Sequence, residues 1–157
     1  PFNTFGPRQS ARAVIPTIIL QILSGKKKIK LGNVDTTRDL SFIDDTVDGL
    51  ILSLKKSING EIINLGTGYD FSIKQIVEII AKEMSVKIKI LQDKKRVRPI
   101  KSEVLKLRAN NKKAIKMLKW RPKYTKKIGL IKGIRKTIEW FSKKENLKIY
   151  KSNIYNI

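Results

Sequence analysis

The stretch Arg38-Asp-Leu-Ser-Phe-Ile-Asp-Asp45 decides the fold, because it predicts a strand that runs straight into a helix. The strand is expected over Arg38 to Ile43. The residues that follow repeat at the i, i+3, i+4, i+7 spacing of an amphipathic helix, through Val47, Leu50, Ile51 and Leu54. Asp44 or Asp45 stands where a carboxylate accepts hydrogen bonds from free amides, and we predict that one of them caps this helix.

Strands and helices alternate on both sides of this stretch. Further strands are predicted at the end of residues 1–7 and over 28–31, 61–65 and 86–91. Further helices are predicted from Pro16 to Gly25, after a capping box of Ser72 and Gln75, from Asn111, and over Leu130 to Phe141. The alternation predicts an α/β fold, with one domain over residues 1–143 and a tail over 144–157.

The composition of the 157 residues excludes several classes of protein. With 41% hydrophobic residues the chain can form a core, and no apolar run approaches the roughly 18 residues of a membrane span. Since it has neither Cys nor His, disulfides, thiolate zinc sites and a histidine base are all excluded. We predict no metal site and no membrane partner.

The formal net charge of +22 requires a nucleic-acid partner to be considered. The lysines, however, are spread over every predicted helix, and Ile and Asn are also abundant, as biased codon usage produces. No aromatic residues interleave a basic stripe in the way that single-strand binders use. The sequence therefore predicts no specific nucleic-acid partner, and Trp120 and Trp140 are predicted to belong to the core.

Glycines and basic residues in loops supply the candidate ligand-binding groups. Gly66-Thr-Gly68 follows a predicted strand but lacks the third glycine of a dinucleotide loop, so we interpret it as a turn that needs positive φ. Arg38, inside a strand, requires a partner, which is either a nearby aspartate (Asp39, Asp44 or Asp45) or a diphosphate. Arg96 and Arg98 precede Pro99 on a loop, where they are placed to hold phosphate.

The order of these motifs resembles the nucleotide-sugar epimerases and 4,6-dehydratases of the extended short-chain dehydrogenase/reductase family. The resemblance covers residues 1–143. It is carried by Phe-Asn-x-Phe-Gly-Pro-Arg from Phe2, Arg-Asp-x-x-Phe-Ile-Asp-Asp from Arg38, Asn-Leu-Gly-Thr-Gly from Asn64, Arg-x-Arg-Pro from Arg96 and Leu-Lys-Trp-Arg-Pro from Leu118. The segments Gly6 to Pro16 and Arg98 to Val104 are most similar in sequence to NAD-dependent 4,6-dehydratases that act on UDP- or GDP-linked amino sugars.

The resemblance implies a role for individual residues. Those expected to contact the nucleotide-diphosphate sugar are Asn3, Ala13, Val14, Ile29, Leu31, Arg38, Asn64 and Arg98. Phe2 would flank the nicotinamide of NAD. The strand over 61–65 would join the edge of a Rossmann sheet that lies outside residues 1–157, so the chain would be the carboxyl-terminal, substrate-binding part of the enzyme.

The family reaction needs a Tyr-x-x-x-Lys pair, and residues 1–157 contain none. We therefore expect that this chain holds no catalytic residue and is inactive alone, with NAD bound mainly by the missing amino-terminal half. The resemblance further implies a cytoplasmic homodimer that acts in surface-glycan sugar synthesis. The alternatives are a 4-epimerase or decarboxylase of the same family, a non-catalytic remnant that still binds a nucleotide sugar, and a basic nucleic-acid-binding module.

Overall fold

The computed structural model describes residues 1–56, 58–97, 99–148 and 150. The strands are β1 (Asn3–Phe5), β2 (Lys28–Leu31), β3 (Thr37–Phe42), β4 (Asp70–Ser72), β5 (Lys89–Gln92) and β6 (Lys106–Leu107). The helices are α1 (Val14–Leu23), α2 (Ile43–Lys55), α3 (Ile73–Glu83), α4 (Lys126–Ser142) and α5 (Lys144–Leu147). This mixture confirms the α/β class.

Strand β3 is the centre of the larger sheet. It pairs in parallel with β1, so that Asn3 lies opposite Leu40, and antiparallel with β4 through Arg38 and Phe71. The two-residue strand β6 pairs in parallel with the start of β3. Strands β2 and β5 form a separate parallel pair. The candidate site takes residues from both sheets, Asn3 and Arg38 from the larger one and Leu31 from the β2–β5 pair.

The core lies between the larger sheet and helices α1, α3 and α4. Phe5 and Phe42 meet edge to face, with ring centroids 5.5 Å apart. Gly133 lets α4 approach them, since a Cβ there would lie 2.9 Å from atoms of both rings. A smaller cluster surrounds the buried Trp120, and Trp140 packs against the main core, which confirms the prediction for both tryptophans.

The helix starts agree with the sequence in one case and correct it in another. The predicted capping box is confirmed, with Gln75 N–H donating to Ser72 Oγ at 3.1 Å and Ser72 N–H donating to Gln75 Oε1 at 2.8 Å. The prediction that Asp44 or Asp45 caps α2 is wrong, because Phe42 occupies the cap position without a side-chain bond. Asp45 is buried, and its carboxylate accepts the amides of Lys123 and Tyr124 instead.

The apolar face predicted for α2 does not face the core of this chain. Val47, Leu50, Ile51 and Leu54 are all exposed, Leu54 to 87%. The helix contacts the chain's own core through the opposite side, where Gly49 lies against Leu65 and Trp120. This leaves an unpartnered apolar stripe along α2.

The strand predicted over 61–65 is not formed among the described residues. A strand requires a paired neighbour, and the backbone contact at the end of this segment is a bond from Phe2 N–H to the Leu65 carbonyl, at 2.8 Å. The prediction that 61–65 completes a sheet supplied by another part of the enzyme stays a prediction. Of the predicted tail, residues 144–147 form α5, and Tyr150 packs against Trp140 and Phe141.

The helix predicted from Asn111 is a single π-type turn over Ala114–Leu118. Its Ala114 and Leu118 are buried beside Trp120. In the described ranges, no helix is both long and apolar enough to cross a bilayer.

Candidate functional site

Five of the residues predicted to contact a nucleotide sugar line one cavity of about 460 Å³. They are Asn3, Ala13, Val14, Leu31 and Arg38. We call this space the Asn3 cavity. Its walls come from β1, the start of α1, the end of β2 and the start of β3. Residues that are far apart in sequence therefore converge on one concave site.

The wall at β1 is held by side-chain amides. Gln9 Nε2 donates to the Thr4 carbonyl at 2.7 Å, which fixes the turn after the strand. Asn3 Nδ2 donates to the Asp39 carbonyl at 3.5 Å, the weak limit of such a bond. The Asn3 side chain is exposed, so its amide is accessible to a ligand.

Arg38 is held by a carboxylate that was not among its predicted partners. Its Nη2 lies 3.1 Å from Glu103 Oε1, and Nη1 donates to the carbonyls of Thr37 at 2.8 Å and Val104 at 2.6 Å. The side chains of Arg38 and Glu103 are only 16% and 12% exposed. The predicted aspartate partners are therefore wrong. Asp39 points its carboxylate elsewhere, and Glu103 supplies the counter-charge from 65 residues away.

The loop after β5 passes over the same cavity. Asp93 N–H donates to the Leu31 carbonyl at 2.7 Å, and Asp93 also pairs with Arg96 at 3.2 Å. A Cβ on Gly32 would lie 2.2 Å from the Arg96 carbonyl oxygen, so only glycine permits this approach. Arg96 thereby joins the cavity lining, while Arg98 lies outside the described residues.

Cations dominate the lining of the Asn3 cavity. Arg12, Arg38 and Arg96 contribute three guanidinium groups, of which Arg38 pairs with Glu103 and Arg96 with Asp93. Guanidinium groups bind phosphate oxygens through paired N–H donors. The cavity therefore has the charge and the donors that a diphosphate requires. Sequence reasoning missed Arg12, Gln9 and Glu103, although all three fall within motifs quoted for the resemblance.

Other predicted residues lie apart from this cavity. Ile29 is fully buried in the core, two residues before Leu31 on β2. Asn64 is exposed and belongs to the lining of neither described cavity. Phe2 is half-buried beside Gly66, whose added Cβ would lie 3.2 Å from the Phe2 ring. The roles predicted for these residues gain no support from the geometry.

The Gly66-Thr-Gly68 turn is held from below by Asp39. The buried carboxylate accepts bonds from Thr67 N–H at 2.8 Å, Thr67 Oγ1 at 2.7 Å and Gly68 N–H at 2.8 Å. Gly68 has φ +79°, as the interpretation of the segment as a glycine turn requires. Because its amides already bind a carboxylate, this turn does not offer them to a dinucleotide phosphate.

Thr67 and Gly68 of this turn line a second concave site. We call it the Arg108 cavity; it has a volume of about 600 Å³ and shares no lining residue with the Asn3 cavity.

As for metals, the described ranges hold no cluster of three or more carboxylates that would bind an ion.

Comparison with known proteins agrees with the motif order. Residues 1–132 match the family model described as GDP-mannose 4,6 dehydratase. This chain belongs to that family of nucleotide-sugar epimerases and dehydratases, within the extended short-chain dehydrogenases/reductases. The fold matches the carboxyl-terminal portion of such enzymes, which confirms the resemblance drawn from the motifs.

Individual relatives span different reactions. The chain is 34% identical to the UDP-glucuronate 4-epimerase of Thermodesulfobacterium geofontis, over 96% of the chain and 44% of the relative. It is similar in structure to dTDP-glucose 4,6-dehydratase from Bacillus anthracis in complex with NAD, with a TM-score of 0.77, 26% identity, and coverage of 92% of the chain and 43% of the other.

A third similar structure holds a nucleotide sugar. This is the UDP-glucose 4-epimerase of Thermotoga maritima with UDP-glucose, at a TM-score of 0.76 and 27% identity, covering 89% of the chain and 43% of the other. The chain thus spans less than half the length of the proteins it matches.

Proposed function

We propose that this chain binds a nucleotide-diphosphate sugar in the Asn3 cavity, as the substrate-binding part of an NAD-dependent nucleotide-sugar 4,6-dehydratase. The observation that carries the proposal is the convergence of Asn3, Ala13, Val14, Leu31 and Arg38 on one cation-lined cavity. The resemblance to the family implies independently that these residues belong to one site. The proposed partner is therefore a sugar nucleotide, and not a nucleic acid.

Arg38 is the group we assign to the diphosphate. A guanidinium carries five N–H donors, and Arg38 uses three of them on Glu103 and two carbonyls. The remaining donors are free to take phosphate oxygens, while Glu103 holds the side chain in one orientation. A preorganised cation loses little entropy when the ligand arrives.

The catalytic groups are proposed to lie on a polypeptide segment outside residues 1–157. Residues 1–157 contain no Tyr-x-x-x-Lys and no complete Gly-x-Gly-x-x-Gly. In the partly matching turn Gly66-Thr-Gly68, the amides of Thr67 and Gly68 donate to Asp39. The residues present therefore do not fit the dinucleotide, and we derive no hydride step for them. We assign NAD to the other half, with Phe2 as its nearest neighbour from this chain.

The exposed apolar stripe of α2 supports this division. A helix face of Val47, Leu50, Ile51 and Leu54 is costly to leave in water at about 25 cal/mol per Å². Since the chain spans less than half of its relatives, we propose that the nucleotide-binding half covers this stripe and pairs with residues 61–65. The complete enzyme is proposed to be a cytoplasmic homodimer.

A 4-epimerase is the second candidate. The 34% identity to a UDP-glucuronate 4-epimerase favours it, while the matching family model and the similar dehydratase structure favour the 4,6-dehydratase. Both reactions begin with the same bound nucleotide sugar. The Asn3 cavity therefore serves either one, and the choice depends on groups outside this chain.

Product analysis of the native polypeptide that contains residues 1–157 tests the proposal. It is incubated with NAD and, in turn, with UDP-, GDP- and dTDP-linked hexoses and amino sugars, and products are identified by mass spectrometry. A product lighter by one water indicates a 4,6-dehydratase, an isomer of unchanged mass an epimerase, and loss of carbon dioxide a decarboxylase. Failure of every nucleotide sugar to bind in calorimetry would overturn the proposal.

The basic nucleic-acid-binding alternative is tested by titration with duplex and single strands at two salt concentrations. Counterion release makes any such binding fall steeply with salt. Weak binding without preference for a sequence or strand type would reflect only the net charge of +22.

A further inference from the structure

We propose that the Arg108 cavity is a second ligand site, which binds a compact organic phosphate of the nucleoside diphosphate class. It shares no residue with the Asn3 cavity and has no part in the function proposed above. Its volume of about 600 Å³ falls within the range of about 300–1,000 Å³ that is usual for small-molecule sites. Its lining holds one aromatic ring, that of Tyr69, which suits a single base better than a strand that stacks successive bases.

The cationic residues of this cavity distinguish it from the rest of the basic surface. Arg108, Lys112 and Arg121 line it, and no Asp or Glu is among its lining residues. All three are exposed, and in the part of the chain that the structure describes none of them forms an ion pair. In the Asn3 cavity, by contrast, the carboxylate of Glu103 neutralises Arg38. Three uncompensated cations around one concavity attract a polyanion.

An apolar side accompanies the cations. Tyr69, Ile115 and Pro122 line the same space, and Tyr69 and Ile115 remain exposed although both are large. An aromatic ring offers a stacking surface to any nucleobase. A ligand with a planar ring at one end and phosphates at the other therefore matches both sides of the cavity.

Two of the walls are fixed by a single buried carboxylate. Asp39 accepts the amide of Gly68 at 2.8 Å on one wall and the amide of Ala109 at 3.1 Å on the other. Asn111 Nδ2 adds a bond of 2.8 Å to the Gly66 carbonyl. The segments that carry Tyr69, Arg108 and Lys112 are thus held at a set separation.

A second buried carboxylate fixes the third wall. Asp45 accepts the amides of Lys123 at 2.7 Å and Tyr124 at 2.8 Å, and its carbonyl accepts Trp120 Nε1 at 2.9 Å. These bonds flank Arg121 and Pro122 on both sides. Since Asp39 and Asp45 both belong to the segment from β3 into α2, one stretch of sequence organises all three walls. A preorganised site spends little of its binding free energy on ordering loops.

Photolabelling with 8-azido-ADP tests the proposal on the native polypeptide that contains residues 1–157, because peptide mapping reports where the probe binds. We expect labelled peptides that contain Tyr69 or residues 108–125, with labelling suppressed by excess ADP and less strongly by inorganic pyrophosphate. The variant Arg108→Gln/Arg121→Gln should raise the half-saturating probe concentration at least tenfold. Label on residues of the Asn3 cavity would report the proposed substrate site, so the two proposals are distinguished in one experiment.

The matched control is Lys74→Gln/Lys82→Gln, which removes two exposed charges from α3, and neither residue lines the Arg108 cavity. It should change half-saturation less than twofold. Circular dichroism checks the fold of each variant, and Lys112→Gln alone provides a milder test should the double variant unfold. The proposal is overturned by equal loss in the control, by the absence of label at Tyr69 and residues 108–125, or by stronger displacement with a single-stranded oligonucleotide than with ADP.

Discussion

The carboxylate of Asp39 and the side chain of Thr67 form a closed unit beneath the glycine turn. Asp39 Oδ1 accepts both the amide and the hydroxyl of Thr67, at 2.8 and 2.7 Å. The other oxygen, Oδ2, accepts Gly68 and Ala109. A fully buried carboxylate is stable only when such donors replace its lost water. Asp39 therefore has a structural role, because it holds the glycine turn in place. Its neighbour Arg38 lines the Asn3 cavity.

Asp39→Asn should destabilise the fold, because the new amide group must present an N–H₂ to two of the present donors. At roughly 1–3 kcal/mol for each of the two buried donors left unsatisfied, the free energy of unfolding should fall by about 2–6 kcal/mol. Urea denaturation followed by circular dichroism measures the change. The matched control is Asp35→Asn, on an exposed loop position. Similar midpoints for the two variants would contradict the structural role given to Asp39.

Gly66→Ala should also destabilise the fold, for a steric reason. A Cβ at this position would lie 2.4 Å from the Cβ of Ala109 and 3.3 Å from Asp39 Oδ2. Overpacking of this kind costs about 1–3 kcal/mol. The control is Gly60→Ala, which meets no atom within 4 Å and introduces only the strain of φ +73°. Thermal melts that shift more for Gly60→Ala than for Gly66→Ala would refute the close contact.

The sequence predicted the principal helices well because apolar periodicity is a local signal. The stripes of α1, α3 and α4, and the capping box at Ser72, can all be seen within one short window. Strands β4 and β6, with three and two residues, have no comparable signal. They form because β3 offers backbone groups for pairing, and this depends on tertiary structure and not on the local sequence.

The site was predictable as a set of residues and not as a set of contacts. The resemblance to the family implied that Arg38, Asn3 and Leu31 are members of one site. No local pattern connects Arg38 to Glu103, or Asp45 to the amides of Lys123 and Tyr124, since those pairs are 65 to 79 residues apart. The cap predicted at Asp45 failed for this reason, because a carboxylate at a helix start is indistinguishable in sequence from one that serves a distant loop.

The contribution of Asp45 to stability should depend on pH. Burial raises the pKa of its carboxyl above the ordinary 3.8, although the amides of Lys123 and Tyr124 lower it in part. Since the folded protein then holds the proton more tightly than the unfolded chain, the contribution is most favourable at acid pH. It is lost as the pH rises from about 3.8 through the folded pKa.

The comparison that isolates this effect is wild type against Asp45→Asn, unfolded with urea at pH 3.5 and at pH 7. The stability advantage of wild type over the variant should be larger at the lower pH. An advantage that grows toward neutral pH would show that the two amide bonds outweigh burial, and that the pKa is lowered instead.

The unpartnered stripe on α2 should make the isolated chain of 157 residues self-associate despite its charge. Leu50→Glu/Leu54→Glu should reduce association, because both side chains are exposed along the stripe. Sedimentation velocity at several concentrations measures this. Ile128→Glu, on the equally exposed start of α4, is the control and should have little effect. A monomeric wild-type chain with a sharp two-state thermal transition would argue against the stripe as an interface.

Arg38→Ala should weaken nucleotide-sugar binding by the native polypeptide, because charge-assisted bonds to the diphosphate are lost. At roughly 1.5–3 kcal/mol, the expected loss is about tenfold to a hundredfold in Kd. Arg38→Lys should recover only part of it, since a point charge cannot form the paired N–H contacts of a guanidinium. Affinity for NAD should stay nearly unchanged. Calorimetry with the nucleotide sugar that the native polypeptide binds, and separately with NAD, measures both.

Glu103 provides the control that separates binding from structure. Arg38→Ala leaves the carboxylate of Glu103 largely buried beside the cavity, where it would repel a diphosphate and destabilise the fold. The double variant Arg38→Ala/Glu103→Gln removes that charge. If Arg38 binds the diphosphate, stability should return in the double variant while most of the affinity stays lost. If affinity returns together with stability, Arg38 serves only to neutralise Glu103, and the assignment of the diphosphate to Arg38 is wrong.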